Sequence, residues 1–293
     1  MHNEPRTQVE AALYVVATPL GNLRDITLRA LDVLQSVDAV AAEDTRLTRQ
    51  LLSHYEIRAR LIAIHQHNEA ASADGIVQLL IEGRSVACVT DAGTPAISDP
   101  GALLVRRVAD AGHRVIPVPG PSALIAALSA AGISAPHFLF YGFLPSKSSA
   151  RRDALASLAQ LRYVLVFYEA PHRVAETLQE MAQILGPERE VVIAREITKM
   201  FESFYRCRLG DAADWLGQDA NRSRGEFVLI VEAAQEEVDK EHAHGERVLE
   251  ILLRSLPVSQ AAALAAEITG RKKNALYERA LELKKGNEAG DLS

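Results

Sequence analysis

The sequence predicts an α/β protein of two domains: a mostly parallel sheet in the first, an α+β second domain, and a small helical appendage at the end. Three observations carry this. Short apolar runs alternate with amphipathic segments through residues 11–120. Three prolines within Pro117–Pro121 interrupt that rhythm. Beyond them strand-like runs crowd together and helical ones become fewer. A length of 293 residues suits two domains, and 48% apolar residues suffice for their cores.

Leu13–Thr18 (LYVVAT) reads as a buried strand, and Leu28, Leu31 and Leu34 recur at helical spacing within Thr27–Ser36. Ala39–Ala42, Arg60–His65, Val86–Thr90 and Val115–Val118 continue the strands. Thr45–Leu52, Ala71–Glu82 and Ala102–Ala111 are the helices between them. Apolar strands separated by amphipathic helices build a parallel sheet covered on both faces. Proline suits neither a helix interior nor a central strand, so Pro117–Ser122 marks a domain junction, giving domains 11–120 and 121–234. In the second domain Ser122–Ala131 is a small-residue helix. Phe138–Phe143, Tyr163–Tyr168, Glu190–Thr198, Ser203–Leu209 and Glu226–Val231 read as strands, with helices near Ala150–Gln160 and Arg173–Leu185. Clustered strands predict antiparallel pairing there. Residues 235–246 are acidic and poor in large apolar side chains, as in a linker. The helical patterns Arg247–Leu253, Ser259–Thr269 and Lys273–Leu283 make a C-terminal segment over 247–285 that resembles a helix-turn-helix.

A net charge of −6 and a pI near 5.9 withhold the general basicity that advertises nucleic-acid binding. Local stripes remain: Lys147, Arg151 and Arg152; Arg206 and Arg208; Arg222 and Arg224; Arg271, Lys272 and Lys273. Each also reads as solvated surface charge. Two cysteines make no disulfide framework, and neither a leader pattern nor a membrane-length apolar run is present, so a cytoplasmic protein without membrane attachment is expected. G-x-S-x-G, Walker A and H-E-x-x-H motifs are absent.

Ligands of open α/β sheets bind at the carboxyl ends of strands, and four such loops are unusual here. TPLGNLRD (Thr18–Asp25) places Gly21 between strand and helix, where backbone amides face a ligand or simply form a tight turn. EDTR (Glu43–Arg46) joins two carboxylates and a guanidinium; Asp44 is a natural N-cap, which leaves Glu43 and Arg46 unexplained. HQHNE (His65–Glu69) invites a zinc reading that no longer motif supports, so no metal is expected. TDAGTPAISDPG (Thr90–Gly101) packs two aspartates, two prolines and two glycines into a connection longer than the ~2–6 residues usual between strand and helix. In the second half FYEAPHR, AREITK and SRGE put charges at strand ends, serving either a site or an ion-pair network between domains.

ALYVVATPLGNLRDITLRAL, AAEDTRLTRQLL, VTDAGTPAISDPG, PVPGPSAL, FYGFLP, VFYEAPHR, AREITK, RGEFVLIVE and TGRKKNALY occur in this order. Together they resemble the ribosomal RNA small subunit methyltransferase I family of the tetrapyrrole methylase superfamily. The resemblance implies a two-domain tetrapyrrole-methylase-like fold with S-adenosylmethionine in the cleft between domains. It implies methylation of a cytidine ribose 2′-oxygen in the decoding region of 16S ribosomal RNA, within the small ribosomal subunit, by a homodimer. The alternative is a methyltransferase acting on a tetrapyrrole or another small molecule. Carried over residue by residue, the cofactor loops are Pro19 and Gly21; Asp91, Ala92, Gly93, Thr94, Ile97 and Ser98; Ser122 and Ala123; and Tyr168 and Phe227 across the cleft. Because a ribose hydroxyl is a poor nucleophile, helpers for its deprotonation or charge are expected among Glu43, Arg46, Glu169, Arg195, Glu196 and Lys199. RNA phosphates are expected at Lys147, Arg151 and Arg152 and at Arg271, Lys272 and Lys273. The sequence departs from the family pattern at Arg206-Cys207-Arg208, where Arg-Gly is expected.

Overall fold

The structure is a computed structural model that describes residues 9–64, 69–133, 136–234 and 238–290. The chain divides into two compact units, Met1–Ala234 and Gln235–Ser293.

The first unit holds two five-stranded sheets. One contains β1 (Leu13–Val16), β2 (Ala39–Ala42), β3 (Arg60–Ala63), β4 (Val86–Val89) and β5 (Val115–Val118), all parallel in the order β3-β2-β4-β1-β5. The strands are short and β2 and β4 are buried at every residue, which is why their sequences are continuously apolar instead of alternating. On one face Tyr14, Val16, Val40 and Val89 pack against α1 (Leu28–Ser36) and α2 (Thr45–His54). On the other, Leu13, Ala41, Val86 and Cys88 pack against α3 (Glu69–Ile81) and α4 (Ala102–Asp110). Thr27 and Asp44 cap α1 and α2 through their side chains.

After β5 comes α5 (Ala123–Ala131), then β6 (Phe138–Phe143), α6 (Ser148–Leu158), β7 (Val164–Glu169), α7 (Val174–Leu185), β8 (Glu190–Arg195), β9 (Ser203–Arg208), α8 (Leu209–Gly217) and β10 (Phe227–Val231). These strands form the second sheet, in the order β6-β7-β10-β8-β9. Its α6, α7 and α8 face is built on Leu165, Phe167, Ile193 and Leu229, and α5 covers Val166, Val192 and Ile230 on the other. The expected antiparallel pairing holds for β10 with β7 and β8 and for β8 with β9, and the sheet is mixed because β6 pairs with β7 in parallel, α6 carrying the chain back across the sheet between them. Helix α8 is not among the elements expected from the sequence, where Ser203–Leu209 reads as strand with nothing helical after it; Leu209, Ala212 and Leu216 form its buried stripe. At the edge, β9 turns Tyr205 and Cys207 onto the core and leaves Arg206 and Arg208 outside, paired with Glu190 and Glu188. The inward path of Cys207 suits a small apolar thiol at this position.

The second unit is three helices, α9 (Val238–Leu253), α10 (Val258–Thr269) and α11 (Lys273–Gly290), packed on Leu249, Ala261, Ala265, Leu276 and Ala280. The expected linker is corrected in one respect: the chain is helical from Val238, where charged residues continue the helix into Arg247–Leu253. Gly270 closes α10 in a left-handed conformation, as its place in the sequence suggests.

Candidate active site

In the parallel sheet the chain order reverses between β1 and β4, so their carboxyl ends open a crevice. A cavity of about 440 Å³ lies there, of a size suited to a small organic ligand. Its first wall is made by the loops after β1, β2, β4 and β5, represented by Leu20, Glu43, Asp91–Thr94, Ile97–Asp99 and Ser122. The facing wall comes from strand ends of the second sheet, through Phe143, Tyr168–Pro171, Ile197 and Glu226–Val228.

The first-wall loops are tied to one another by backbone. Thr18 and Gly93 exchange both N–H···O bonds, at 2.9 and 3.0 Å, as an isolated bridge. Gly93 adopts φ +84° there, a conformation that strains any residue with a Cβ, and Leu20 stands 3.2 Å from where that Cβ would be. Thr18 Oγ1 donates to the Thr90 carbonyl and Thr94 Oγ1 to the Pro121 carbonyl, both at 3.0 Å. Ala96 and Ser98 sit at φ +66°, conformations costly for residues with a Cβ and held only where the surroundings over-determine them. One such constraint is Glu69, whose Oε1 accepts from the amides of Gly101, Leu103 and Leu104 and so caps α4. Glu69→Ala is therefore expected to lower stability by about 1–2 kcal/mol, measured by urea unfolding, and to loosen the loop that α4 anchors.

Carboxylates dominate the same wall. Thr90 Oγ1 donates to Glu43 Oε2 at 2.7 Å, and the Asp44 amide donates to Asp91 Oδ1 at 3.0 Å. Burial, reinforced by the charge of Glu43, pushes Asp99 up to about 6. Burial likewise raises Asp91, against the amide of Asp44. Across the cleft Tyr168 accepts from the Leu124 amide at the start of α5, and burial pushes its phenol up.

On the second wall Glu169 is 2% exposed and fully engaged. It accepts from Thr177 Oγ1 at 2.7 Å and from the Ala170 amide at 2.8 Å, with Arg173 3.4 Å away. Lys199 bridges Glu196 at 2.9 Å and Glu226 at 3.0 Å, and Glu196 also accepts from the Glu226 amide. The stem of Lys199 lies against Gly21, leaving only 2.5 Å to an added Cβ, which joins the first loop to the second sheet.

The structure brings most of the expected cofactor residues together: Asp91, Ala92, Gly93, Thr94, Ile97 and Ser98 line the cavity, with Ser122, Ala123, Tyr168 and Phe227. Pro19 and Gly21 do not; Leu20 between them does, because the loop presents that side chain and turns Gly21 toward Lys199. Of the expected helpers Glu43 and Glu169 reach the cavity. Arg46 is exposed and occupied by Asp44, Arg195 donates to the carbonyls of Arg224 and Phe201, and Glu196 and Lys199 are consumed in the bridge behind Ile197. The charged strand end SRGE reaches the cavity through Glu226, while sequence reasoning missed Asp99, Phe143 and Val228. Asp99 precedes a proline and reads as a turn residue, while Phe143 and Val228 read as strand core. Arg151 is corrected: it is 1% exposed, held by Glu180 and Glu176, and unavailable to phosphate. Lys147, Arg152, Lys272 and Lys273 are exposed and Arg271 half-buried. Of HQHNE, His65–Asn68 lie outside the described residues.

Residues 12–213 match the family of Tetrapyrrole (Corrin/Porphyrin) Methylases, and residues 239–284 match the RsmI C-terminal HTH domain. Ribosomal RNA small subunit methyltransferase I of Escherichia coli O157:H7 is 50% identical over 273 residues, 93% of this chain and 96% of that protein. The protein of the same name from Neisseria meningitidis serogroup B is 50% identical over 94% of this chain and 95% of its own length. Among solved structures, a cobalt precorrin-4 methyltransferase superposes with a TM-score of 0.58 at 18% identity, over 76% of this chain and 95% of its own. Uroporphyrin-III-C-methyltransferase from Thermus thermophilus gives 0.54 at 22%, over 78% and 97%. The crevice at the β1–β4 reversal, the second sheet that faces it and these likenesses converge: the chain belongs to the tetrapyrrole methylase family, in its ribosomal RNA small subunit methyltransferase I branch.

Proposed function

We propose that the protein methylates 16S ribosomal RNA from S-adenosylmethionine, at the ribose 2′-oxygen of a cytidine in the decoding region. It acts on the small ribosomal subunit, as a homodimer in the cytoplasm. The observation that carries this reading is the cavity, whose walls suit a flat nucleoside joined to a cationic tail. Leu20, Ile97, Phe227 and Val228 offer apolar surface for a base, and Glu43, Asp91 and Asp99 offer negative charge for a cation and acceptors for ribose hydroxyls. When bound, the cofactor supplies an electrophilic methyl group on a positively charged sulfur. The residues then work by orientation and by excluding water, since in-line placement of a hydroxyl is most of what such a transfer needs. Lys147 and Arg152 in the first unit, and Arg271, Lys272 and Lys273 in the second, are the cations assigned to RNA phosphates.

Methyl-labelled cofactor offered with small ribosomal subunits, or with a porphyrinogen, tests the proposal. Label in 16S RNA, located on a ribose by mass spectrometry and declining as salt rises, is the expected result. Label in the tetrapyrrole alone, or no binding of S-adenosylhomocysteine by calorimetry, overturns it.

A further inference from the structure

Strand β6 is the most aromatic stretch of the chain, with Phe138, Phe140, Tyr141 and Phe143 inside six residues. Its register against β7 sets Phe138 opposite Val164, Leu139 opposite Leu165 and Phe140 opposite Val166. Then it jumps: Gly142 stands opposite Phe167, and Phe143 opposite Tyr168. Tyr141 is thus the extra residue of a β-bulge. Paired residues share a face of the sheet, and one inserted residue turns every later side chain to the other face. Unbroken alternation would send Phe143 to the face of Leu139, among the core of Leu165 and Phe167. The bulge sends it instead to the face of Phe140 and Tyr168, where it lines the cavity. Gly142 meets the geometry of the bulge at φ +79°, and Ser98 Oγ stands 2.8 Å from where its Cβ would be, so the bulge abuts the loop after β4.

Phe143 is the ring of the cavity that stays open to solvent. It is 52% exposed, while Phe227 is 2% exposed and Tyr168 half-buried. Its backing is firm. Tyr168 lies 5.7 Å from Phe143 and 4.9 Å from Phe140, both edge to face, and the Tyr168 hydroxyl is fixed by the Leu124 amide. Past Phe143 the chain runs toward positive charge. Arg173 donates to the carbonyls of Leu144 at 2.9 Å and Pro145 at 3.0 Å, which pins this exit, and Lys147 and Arg152 are exposed just beyond. A supported, open ring between a cavity and a cationic stretch suits a ligand with a flat apolar part and an anionic backbone. Unpaired bases of RNA stack on aromatic rings, and its phosphates pair with lysine and arginine.

Resting on the methyltransferase reading above, we propose that Phe143 is the surface on which the unpaired base of the methyl-accepting nucleotide stacks, with its strand running out over Lys147 and Arg152. The ring holds the base at the cavity mouth and so presents the attached ribose to the interior. Phenylalanine has no polar atom to read a base edge, so Phe143 orients the nucleotide without choosing it. The bulge is the device that brings the ring there.

The test is methylation of small ribosomal subunits by Phe143→Leu and Phe143→Tyr. Leucine keeps an apolar side chain and removes the flat ring, and tyrosine keeps the ring. The kcat/KM for subunits is expected to fall about 5–100-fold in Phe143→Leu and to stay within about twofold of the parent in Phe143→Tyr. Thermal midpoint, sedimentation and calorimetric affinity for S-adenosylhomocysteine should match the parent in both. Equal kcat/KM in the two variants, whether retained or lost, overturns the assignment. Loss of S-adenosylhomocysteine affinity by the same factor would put the ring on the cofactor, and an altered association state would put it between two copies of the chain. Either result also overturns the assignment and leaves the methyltransferase reading intact. If the parent itself neither binds S-adenosylhomocysteine nor methylates subunits, it is the broader reading that falls.

Discussion

Replacing Arg151 with methionine is expected to cost about 3–5 kcal/mol of stability and to lower the thermal midpoint by roughly 10 °C. The guanidinium is 1% exposed, its Nε 2.5 Å from Glu180 and an Nη 2.7 Å from Glu176. Ser148 completes the arrangement by donating to Glu180 at 2.6 Å. Removing the cation leaves Glu180 charged, buried and short of its main partner. Replacing both, as Arg151→Met with Glu180→Leu, should recover most of the loss, because an apolar pair of similar volume has no charge to desolvate. The sign with pH follows from the carboxylate. Arg151 holds Glu180 below its ordinary value, so the pair stabilises the fold above the unfolded carboxylate range and loses that contribution as pH falls through the folded value. The gap between parent and variant should therefore narrow below about pH 4 in urea melts. A gap that stays constant as the pH is lowered through that range sinks this account.

Gly225→Ala is expected to cost on the order of 2–3 kcal/mol and to weaken cofactor binding as well. Gly225 has φ +91°, and an added Cβ would collide with Cγ of Glu196, itself left-handed at φ +52°. Moving Glu196 undoes its bonds to the Glu226 amide and to Lys199, and these set the ends of β8 and β10 against the cavity. Gly75→Ala is the contrast: in mid-α3, with nothing within 4 Å of its Cβ position, it should be neutral or stabilising by about 0.5–1 kcal/mol. Unfolding curves and calorimetry with S-adenosylhomocysteine on the two variants check both expectations. Equal effects would remove the proposed role of the Glu196 clamp.

How much of this was legible depends on the range of the forces involved. Val86–Val89 and Phe227–Val231 are buried on both faces and announce themselves as unbroken apolar runs. TDAGTPAISDPG announces itself because its glycines and prolines exceed what a connection needs, and its residues line the cavity. Arg151 did not, because one residue says nothing of the glutamates that α7 brings to it. Gly21 against Lys199 and Gly225 against Glu196 are close approaches between distant segments, visible only once the two sheets face each other. Asp99 was hidden by the plain local explanation that Asp-Pro supplies, a turn, and only its place on the wall of the cavity sets it apart.

The outer strand β9 bears on how the protein behaves in crowded solution. Its free backbone edge is a template to which another extended chain can add, and proteins blunt such edges with charge. Arg206 and Arg208 alternate with the inward Tyr205 and Cys207, so every foreign strand that approaches meets two guanidiniums and their glutamates. The Cys207 thiol lies on the sheltered side between them, where burial pushes it up to about 11 and keeps it a poor nucleophile. One edge thus guards against both strand-templated aggregation and disulfide cross-linking between molecules.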